Sequence, residues 1–358
     1  MRSTDAVRGV LDLADMARLA RRGLPDDVWD YVEGGSGGEL TLVANRTALE
    51  RLFVTPRMFA GIEAADTSAT FFGLPSTAPL AVAPMAYQQL LHPEGEVAAA
   101  GACAAAGVPY TLSMMSGLPV EKVTATGATT WFQLYWLRDR DLFASVIDRA
   151  EAAGCAALML TIDMPRMGRR LRDLRNDFTL PPHLLPAHLP PPGGPIMIAA
   201  HTASAFRPDV GWADLAWLRA RTRLPLLVKG ILDADDASRA ADEGVDAIVV
   251  SNHGGRQFDG APATIDALPA VVRTVAHRCQ VLVDSGFRSG LDIVKALAAG
   301  ASGVLIGRPA LWGLAAGGID GATIVLRLLQ EELAAAMLLA GCASTVDVAR
   351  LRLTGTAA

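Results

Sequence analysis

Short apolar runs recur along the chain at intervals that suit alternating strands and helices. Those at residues 79–83, 109–112, 130–134, 157–161, 226–229, 247–250, 281–284 and 303–306 are four or five residues long and end in polar or Gly-containing turns. Continuous apolar runs of this length fit strands buried on both faces and are too short for core helices. Between them lie Ala-rich stretches at residues 94–106, 139–153, 233–243, 266–278 and 291–299, whose composition favours helix. Buried parallel strands alternating with helices, eight times over, predict a single (β/α)8 TIM barrel spanning about residues 79–315.

The alternation breaks once, after the fourth run. Residues 178–209 are rich in Pro, Gly, Leu and His without a clean period, and are expected to form a long loop over the active-site face. Pro181-Pro182, Pro190-Pro191-Pro192 and Gly193-Gly194 suit disorder as well as a rigid lid. Residues 25–33 read as an N-terminal helix stopped by Gly34-Gly35, and residues 323–339 as a closing helix. The whole of 1–358 is expected to be one domain.

Composition narrows the function classes. A hydrophobic content of 51% over 358 residues supplies ample core, and a net charge of −5 gives no basic field for nucleic acid. Any anion must be held by a local cluster of Arg and Lys. Cys103, Cys155, Cys279 and Cys342 are far apart and form no C-x-x-C pair, which argues against a zinc site or a disulfide framework and fits a reducing cytoplasm. Residues 1–22 alternate charge with Leu and Ala rather than presenting a signal-peptide core, and no uninterrupted apolar run is long enough to span a membrane.

The chemistry gathers at the C-terminal ends of the predicted strands, where this fold places its active sites. Run one ends in Ala83-Pro84-Met85-Ala86; run two leads to Ser113; run three carries Gln133 and Tyr135; run four leads to Asp163; run five ends in Lys229. Run six leads to Ser251-Asn252-His253-Gly254-Gly255-Arg256-Gln257, a turn that can offer one substrate a proton acceptor and a carboxylate fork. The last two runs lead into Asp284-Ser285-Gly286-Phe287-Arg288 and Gly307-Arg308-Pro309, the usual position of a phosphate cradle in this fold. Lys229 at the end of an apolar strand needs a partner: a Schiff-base carbonyl, a buried acid, or a cofactor that accumulates negative charge.

Together these motifs resemble the FMN-dependent α-hydroxy-acid oxidases and dehydrogenases, a family that includes glycolate oxidase, lactate oxidase and mandelate dehydrogenase. The likeness spans nearly the whole chain. Besides the His253 turn it rests on His92-Pro93-Glu94-Gly95-Glu96, Phe132-Gln133-Leu134-Tyr135, Asp163-x-Pro165-x-x-Gly168-Arg169-Arg170 and Leu227-Val228-Lys229-Gly230. The resemblance implies FMN as cofactor and His253 as the proton acceptor, with Asp163 stabilising its imidazolium. It implies that Arg256 and Tyr31 hold the substrate carboxylate with Arg170 as an auxiliary cation, that Tyr135 bonds near the α-oxygen, and that Met115 borders the substrate. Lys229, Gln133, Thr161, Ser113 and the backbone at Ala83 and Ala86 would hold the flavin ring. Gly286, Arg288, Gly307 and Arg308 would take the phosphate, with Ser251 and Asp284 completing the cofactor set.

Within the family the likeness points to bacterial oxidases of mandelate or 4-hydroxymandelate, the type associated with hydroxyphenylglycine-containing antibiotics. The implied partners are a 2-hydroxy acid and O2, with no nucleic acid and no membrane, in a homo-oligomer for which a tetramer is one option. A dehydrogenase with a non-oxygen acceptor and an FMN-containing diphosphate isomerase are the alternatives. Two departures stand out: Ser285 replaces a usual Gly, and Met114-Met115 replace a polar and aromatic pair. The methionines, with Leu184, Leu185 and Leu189 of the long loop, are expected to cover an aryl ring.

Overall fold

The computed structural model describes residues 7, 9–190 and 197–355. Its centre is a closed barrel of eight strands, every neighbouring pair parallel. In chain order the strands are Leu80–Met85, Tyr110–Ser113, Thr130–Leu134, Ala157–Thr161, Leu226–Ile231, Ala247–Val250, Gln280–Val283 and Gly303–Ile306. The predicted runs match them to within two residues at each end.

Strand pleating divides their side chains into two apolar sets. Outward residues such as Val82, Phe132, Leu160, Val228 and Ile248 join the core under the surrounding helices. Inward residues such as Trp131, Met159, Leu227, Val249 and Leu282 fill the barrel. The bottom is closed by an antiparallel hairpin, Ala69–Phe71 with Leu74–Ser76, whose Phe71 meets Trp131 edge-on at 5.5 Å.

Local signals set the helix ends. Asp139, Asp233 and Ser289 each accept a backbone N–H in the first turn of the following helix, Arg140–Ala152, Ala234–Asp242 and Gly290–Ala298 respectively. The N-terminal segment adds Leu13–Gly23, Asp26–Glu33 and Leu40–Arg51, and strand Phe53–Thr55 pairs with Arg352–Thr354.

Two elements differ from expectation. The closing helix is longer than residues 323–339: it runs Arg308–Leu339, bent at Gly317 and Gly318, whose backbone angles leave the helical range. The region read as a periodless loop contains the helix Ile198–Ala205, built largely of small residues that give little amphipathic signal. Pro191, Pro192, Gly193 and Gly194 lie outside the described residues, as do residues 1–6 and 8 of the N-terminal stretch.

Candidate active site

Strand parity places the polar groups. Two residues beyond the inward plug, Trp131 leads to Gln133, Met159 to Thr161, Leu227 to Lys229, Val249 to Ser251, Leu282 to Asp284 and Leu305 to Gly307. An apolar floor therefore gives way to a polar layer at the barrel mouth. Above it opens a cleft of about 1220 Å³, lined by Tyr31, Ala83, Ala86, Ser113, Met115, Tyr135, Thr161, Arg170, Lys229, His253, Arg256, Asp284, Gly286, Arg288, Gly307 and Arg308. That space takes in the open mouth of the cleft.

Three predicted residues stand behind the lining. Gln133 lies under Ser113, whose Oγ donates to its Oε1 at 3.0 Å. Ser251 accepts from Lys229 Nζ at 2.8 Å and from the His253 backbone N–H at 3.1 Å. Asp163 backs His253, with Oδ1 2.9 Å from Nδ1.

His253 sits in a left-handed turn with φ of 58°, followed by Gly254 at 67° and Gly255 at 75°. A side chain at 255 would place its Cβ 2.6 Å from the backbone of Leu42, so the close approach there requires glycine. Burial lowers the His253 pKa more than the Asp163 charge raises it, and the Lys229 and Arg170 charges push the same way as burial. This favours the neutral imidazole, the form able to accept a proton. Burial would raise the Asp163 carboxyl, but His253 and Lys229 together hold it below its ordinary range.

The cationic side is built to receive anions. Arg256 Nη1 donates to the carbonyls of Tyr31 (2.7 Å) and Gly34 (2.8 Å), and its guanidinium lies 5.3 Å from the Tyr31 ring centroid. Arg170 is buried, with Nε unpartnered among the described residues and Asp173 4.0 Å away. Desolvation, then the Arg256 charge, brings its pKa down to about 10. A second cluster lies on the strand-seven and strand-eight side. Arg308 donates to Val32, Gly254 and Gly34 carbonyls, and Arg288 lies over Trp312 at 4.8 Å. Burial lowers Arg288 to about 10 and Arg308 to about 9, the latter also depressed by Arg256, Arg288 and Arg170. An anion at each cluster relieves that repulsion.

The chemistry of FMN fits these residues. Gln133 Nε2 and Thr161 Oγ1 are buried without a hydrogen-bond partner among the described residues, where a ring with polar edges would satisfy them. Lys229 is held charged: burial opposes this, but Asp284, 3.1 Å from Nζ, and Asp163 raise its pKa above the ordinary value. Gly286 has φ of 93° and would bring a Cβ within 2.9 Å of Asn45, and Gly307 caps the N-terminus of helix Arg308–Leu339. Gly286 thus requires glycine for close packing, and the helix N-terminus at Gly307 is where backbone amides can meet a phosphate.

The aryl cover is built differently from expectation. Only Met115 of the methionine pair lines the cleft; Met114 is fully buried, its carbonyl 3.3 Å from His188 Nδ1. Leu184, Leu185 and Leu189 do not line it either, since Ala187 N–H bonds Ser116 and His188 accepts from Val120, fixing that stretch along the barrel flank. Met164, Met167, Ile198 and Thr202 line the cleft instead. Tyr135 stacks on Phe206 at 4.8 Å, and Tyr31 on Phe178 at 4.8 Å.

Other contributors escaped the sequence reading. Tyr87 lines the cleft in a left-handed conformation, φ 55°, with its buried hydroxyl unpartnered among the described residues. The Gln257 side chain donates to the carbonyls of Asp163 (3.0 Å) and Arg166 (2.9 Å) and accepts from Gly168 N–H (3.0 Å), clamping the segment that carries Asp163. Asn45 and Asn252 exchange hydrogen bonds of 3.0 and 2.7 Å, tying the His253 turn to helix Leu40–Arg51. Gln257 and Asn252 stood within the motif as its polar amides; nothing in the local pattern marked Asn45.

Known proteins resemble the chain over almost its full length. The family model described as FMN-dependent dehydrogenase matches residues 20–354. The chain is 50% identical to 4-hydroxymandelate oxidase of Amycolatopsis orientalis, covering 95% of this chain and 97% of that protein. It is 45% identical to L-lactate oxidase of a Nostoc species, covering 96% and 98%. A crystal structure of mandelate oxidase superposes with a TM-score of 0.93 at 50% identity, covering 96% of this chain and 98% of that one. The barrel, its arginine clusters and these matches over almost the full length place the chain in the FMN-dependent dehydrogenase family.

Proposed function

We propose that the chain oxidises (S)-2-hydroxy acids with an aryl side chain, such as mandelate or 4-hydroxymandelate, to the 2-oxo acid, and that O2 then takes the electrons to give H2O2. The observation that carries this reading is a neutral histidine backed by a carboxylate and facing arginines that lack a full complement of acids. Arg256 and Arg170 hold the substrate carboxylate with Tyr31, and Tyr135 hydrogen-bonds near the α-oxygen. His253 Nε2 receives a proton as the substrate is oxidised, and Asp163 stabilises the imidazolium.

Lys229, Gln133, Thr161, Ser113 and the backbone at Ala83 and Ala86 hold the flavin ring, while Gly286, Arg288, Gly307 and Arg308 hold the phosphate. Bound FMN supplies a two-electron acceptor. The substrate loses two electrons and two protons, and O2 gains the same to form H2O2. Met115, Met164, Met167 and Ile198 supply apolar contact for the ring.

Anaerobic mixing with (S)-mandelate, 4-hydroxymandelate, L-lactate and glycolate, followed by readmission of O2, tests the proposal. Aryl acids should show the higher kcat/KM, since a ring buries far more area than a methyl. Preference for glycolate overturns the aryl pocket, and absence of peroxide with rapid dye reduction moves the chain to the dehydrogenase branch.

No helix among the described residues is long and apolar enough to cross a membrane. Four unbonded cysteines support a reducing cytoplasm. Exposed Leu40, Val43 and Phe258, near one another where Thr41 bonds Asp259 and Phe258, support self-association, which light scattering of the purified protein checks.

A further inference from the structure

Ser285 adopts φ of 77°, a left-handed conformation in which a serine is uncommon and glycine is at ease. The residue is buried at the cleft wall, and its hydroxyl bonds to two partners. Oγ accepts the Gly254 N–H at 2.9 Å and donates to Asp284 Oδ1 at 2.7 Å. The other oxygen of that carboxylate, Oδ2, lies 3.1 Å from Lys229 Nζ. Lys229 Nζ in turn donates to Ser251 Oγ at 2.8 Å, and the same Oγ accepts the His253 N–H at 3.1 Å.

These contacts close a ring. It runs from the His253–Gly254 backbone through Ser285, Asp284, Lys229 and Ser251 and back to His253. Each of two consecutive amides of the histidine turn is therefore held by a serine hydroxyl, and each hydroxyl also touches the buried Lys229–Asp284 pair. Without the Ser285 hydroxyl the Gly254 amide loses its acceptor, and Asp284 Oδ1 loses a donor that shares the carboxylate with Lys229.

We propose that Ser285 is a positioning residue that couples the proton-accepting turn of His253 to the Lys229–Asp284 pair at the cofactor face. The inference rests on the function proposed above for His253 and Lys229. It explains why a hydroxyl occupies a backbone conformation suited to glycine: the side chain supplies two hydrogen bonds that glycine cannot.

The test compares Ser285→Gly with Ser285→Ala. Glycine removes the hydroxyl and relaxes the backbone, which offsets part of the cost of the lost bonds; alanine removes the hydroxyl and keeps the Cβ. In the apoprotein, amide exchange of the segment holding Gly254 should accelerate about tenfold or more in both variants, the effect of losing one buried hydrogen bond. In the holoenzyme the rate of flavin reduction by (S)-mandelate should fall about tenfold in both, with KM changed less than twofold and the FMN midpoint potential shifted to a more negative value. Unchanged exchange at Gly254 overturns the hydrogen-bond assignment. Faster exchange with wild-type reduction rate and potential overturns the coupling, leaving the hydroxyl a local brace. If wild-type flavin is reduced by no 2-hydroxy acid, the proposed function fails, and the apoprotein exchange and the potential still decide the role of Ser285.

Discussion

Nδ1 of His253 lies 2.9 Å from Oδ1 of Asp163, which leaves Nε2 as the ring nitrogen available to the cleft that His253 lines. The carboxylate fixes the tautomer and is placed to stabilise the imidazolium once a proton arrives. Burial keeps the ring neutral until then. Replacing His253 with Gln should slow flavin reduction at least ~10²–10⁴-fold while leaving FMN bound, as measured by anaerobic stopped-flow. Near-normal reduction would mean another group takes the proton.

The pH dependence follows from the direction of the His253 shift. Its folded pKa lies below the unfolded value of ~6.5, so the unfolded chain binds the proton first as pH falls. This group's contribution to stability is complete above about pH 6.5 and is lost as pH falls from there toward the folded pKa. In activity, kcat/KM should be level on the alkaline side of ~6.5 and fall with one-proton slope at lower pH. Asp163→Asn removes a charge that raises the histidine pKa, so the acid limb should move to lower pH as the plateau drops ~10²-fold or more. A limb that moves upward contradicts the pairing.

Arg256 spends Nη1 on the carbonyls of Tyr31 and Gly34. A lysine in its place cannot span those acceptors and a substrate carboxylate at once. Arg256→Lys should therefore raise KM for (S)-mandelate at least ~10-fold, the loss expected for a charged hydrogen bond. An unchanged KM assigns the carboxylate to Arg170 alone.

Gly230 has φ of 112°, and a Cβ there would lie 2.6 Å from the Cβ of Asp163. Gly230→Ala should displace Asp163 and so reproduce much of the Asp163→Asn rate loss, together with a lower melting temperature. Wild-type rate and stability would show that the loop after strand four yields without consequence.

Arg288 and Arg308 repel each other in the absence of an anion. Arg288→Gln should weaken FMN retention about tenfold or more, read by fluorescence of the freed flavin after ultrafiltration. Stripping FMN from the wild type should lower the melting temperature, because ligand at 100 times its Kd stabilises by ~2.7 kcal/mol. Equal melting of holo and apo forms would contradict tight binding.

Much of this was legible because parity along a buried strand is a local property. Once residues 226–229 and 247–250 are read as strands, Lys229 and Ser251 fall at the mouth without knowledge of their neighbours. Parity stops where the strand does. Past Ser113 the chain turns, and nothing in Met114-Met115 tells which of two adjacent methionines faces the cleft. Tyr87 was missed for the same reason, since its direction depends on a left-handed backbone. The helix Ile198–Ala205 carries too little polar contrast for its period to show, although it supplies Ile198 and Thr202 to the wall. Ser285 became intelligible only through its contact with Gly254, 31 positions away.

Arg256 and Arg308 both end on carbonyls of residues 31–34, at the C-terminal end of helix Asp26–Glu33. The guanidinium groups proposed to hold anions thus also cap that helix, whose last carbonyls would otherwise lack donors. Anion affinity and the docking of the N-terminal helix are then linked through the same two side chains. A chain cut just past Gly34 should then keep the strands of its barrel and bind carboxylates more weakly.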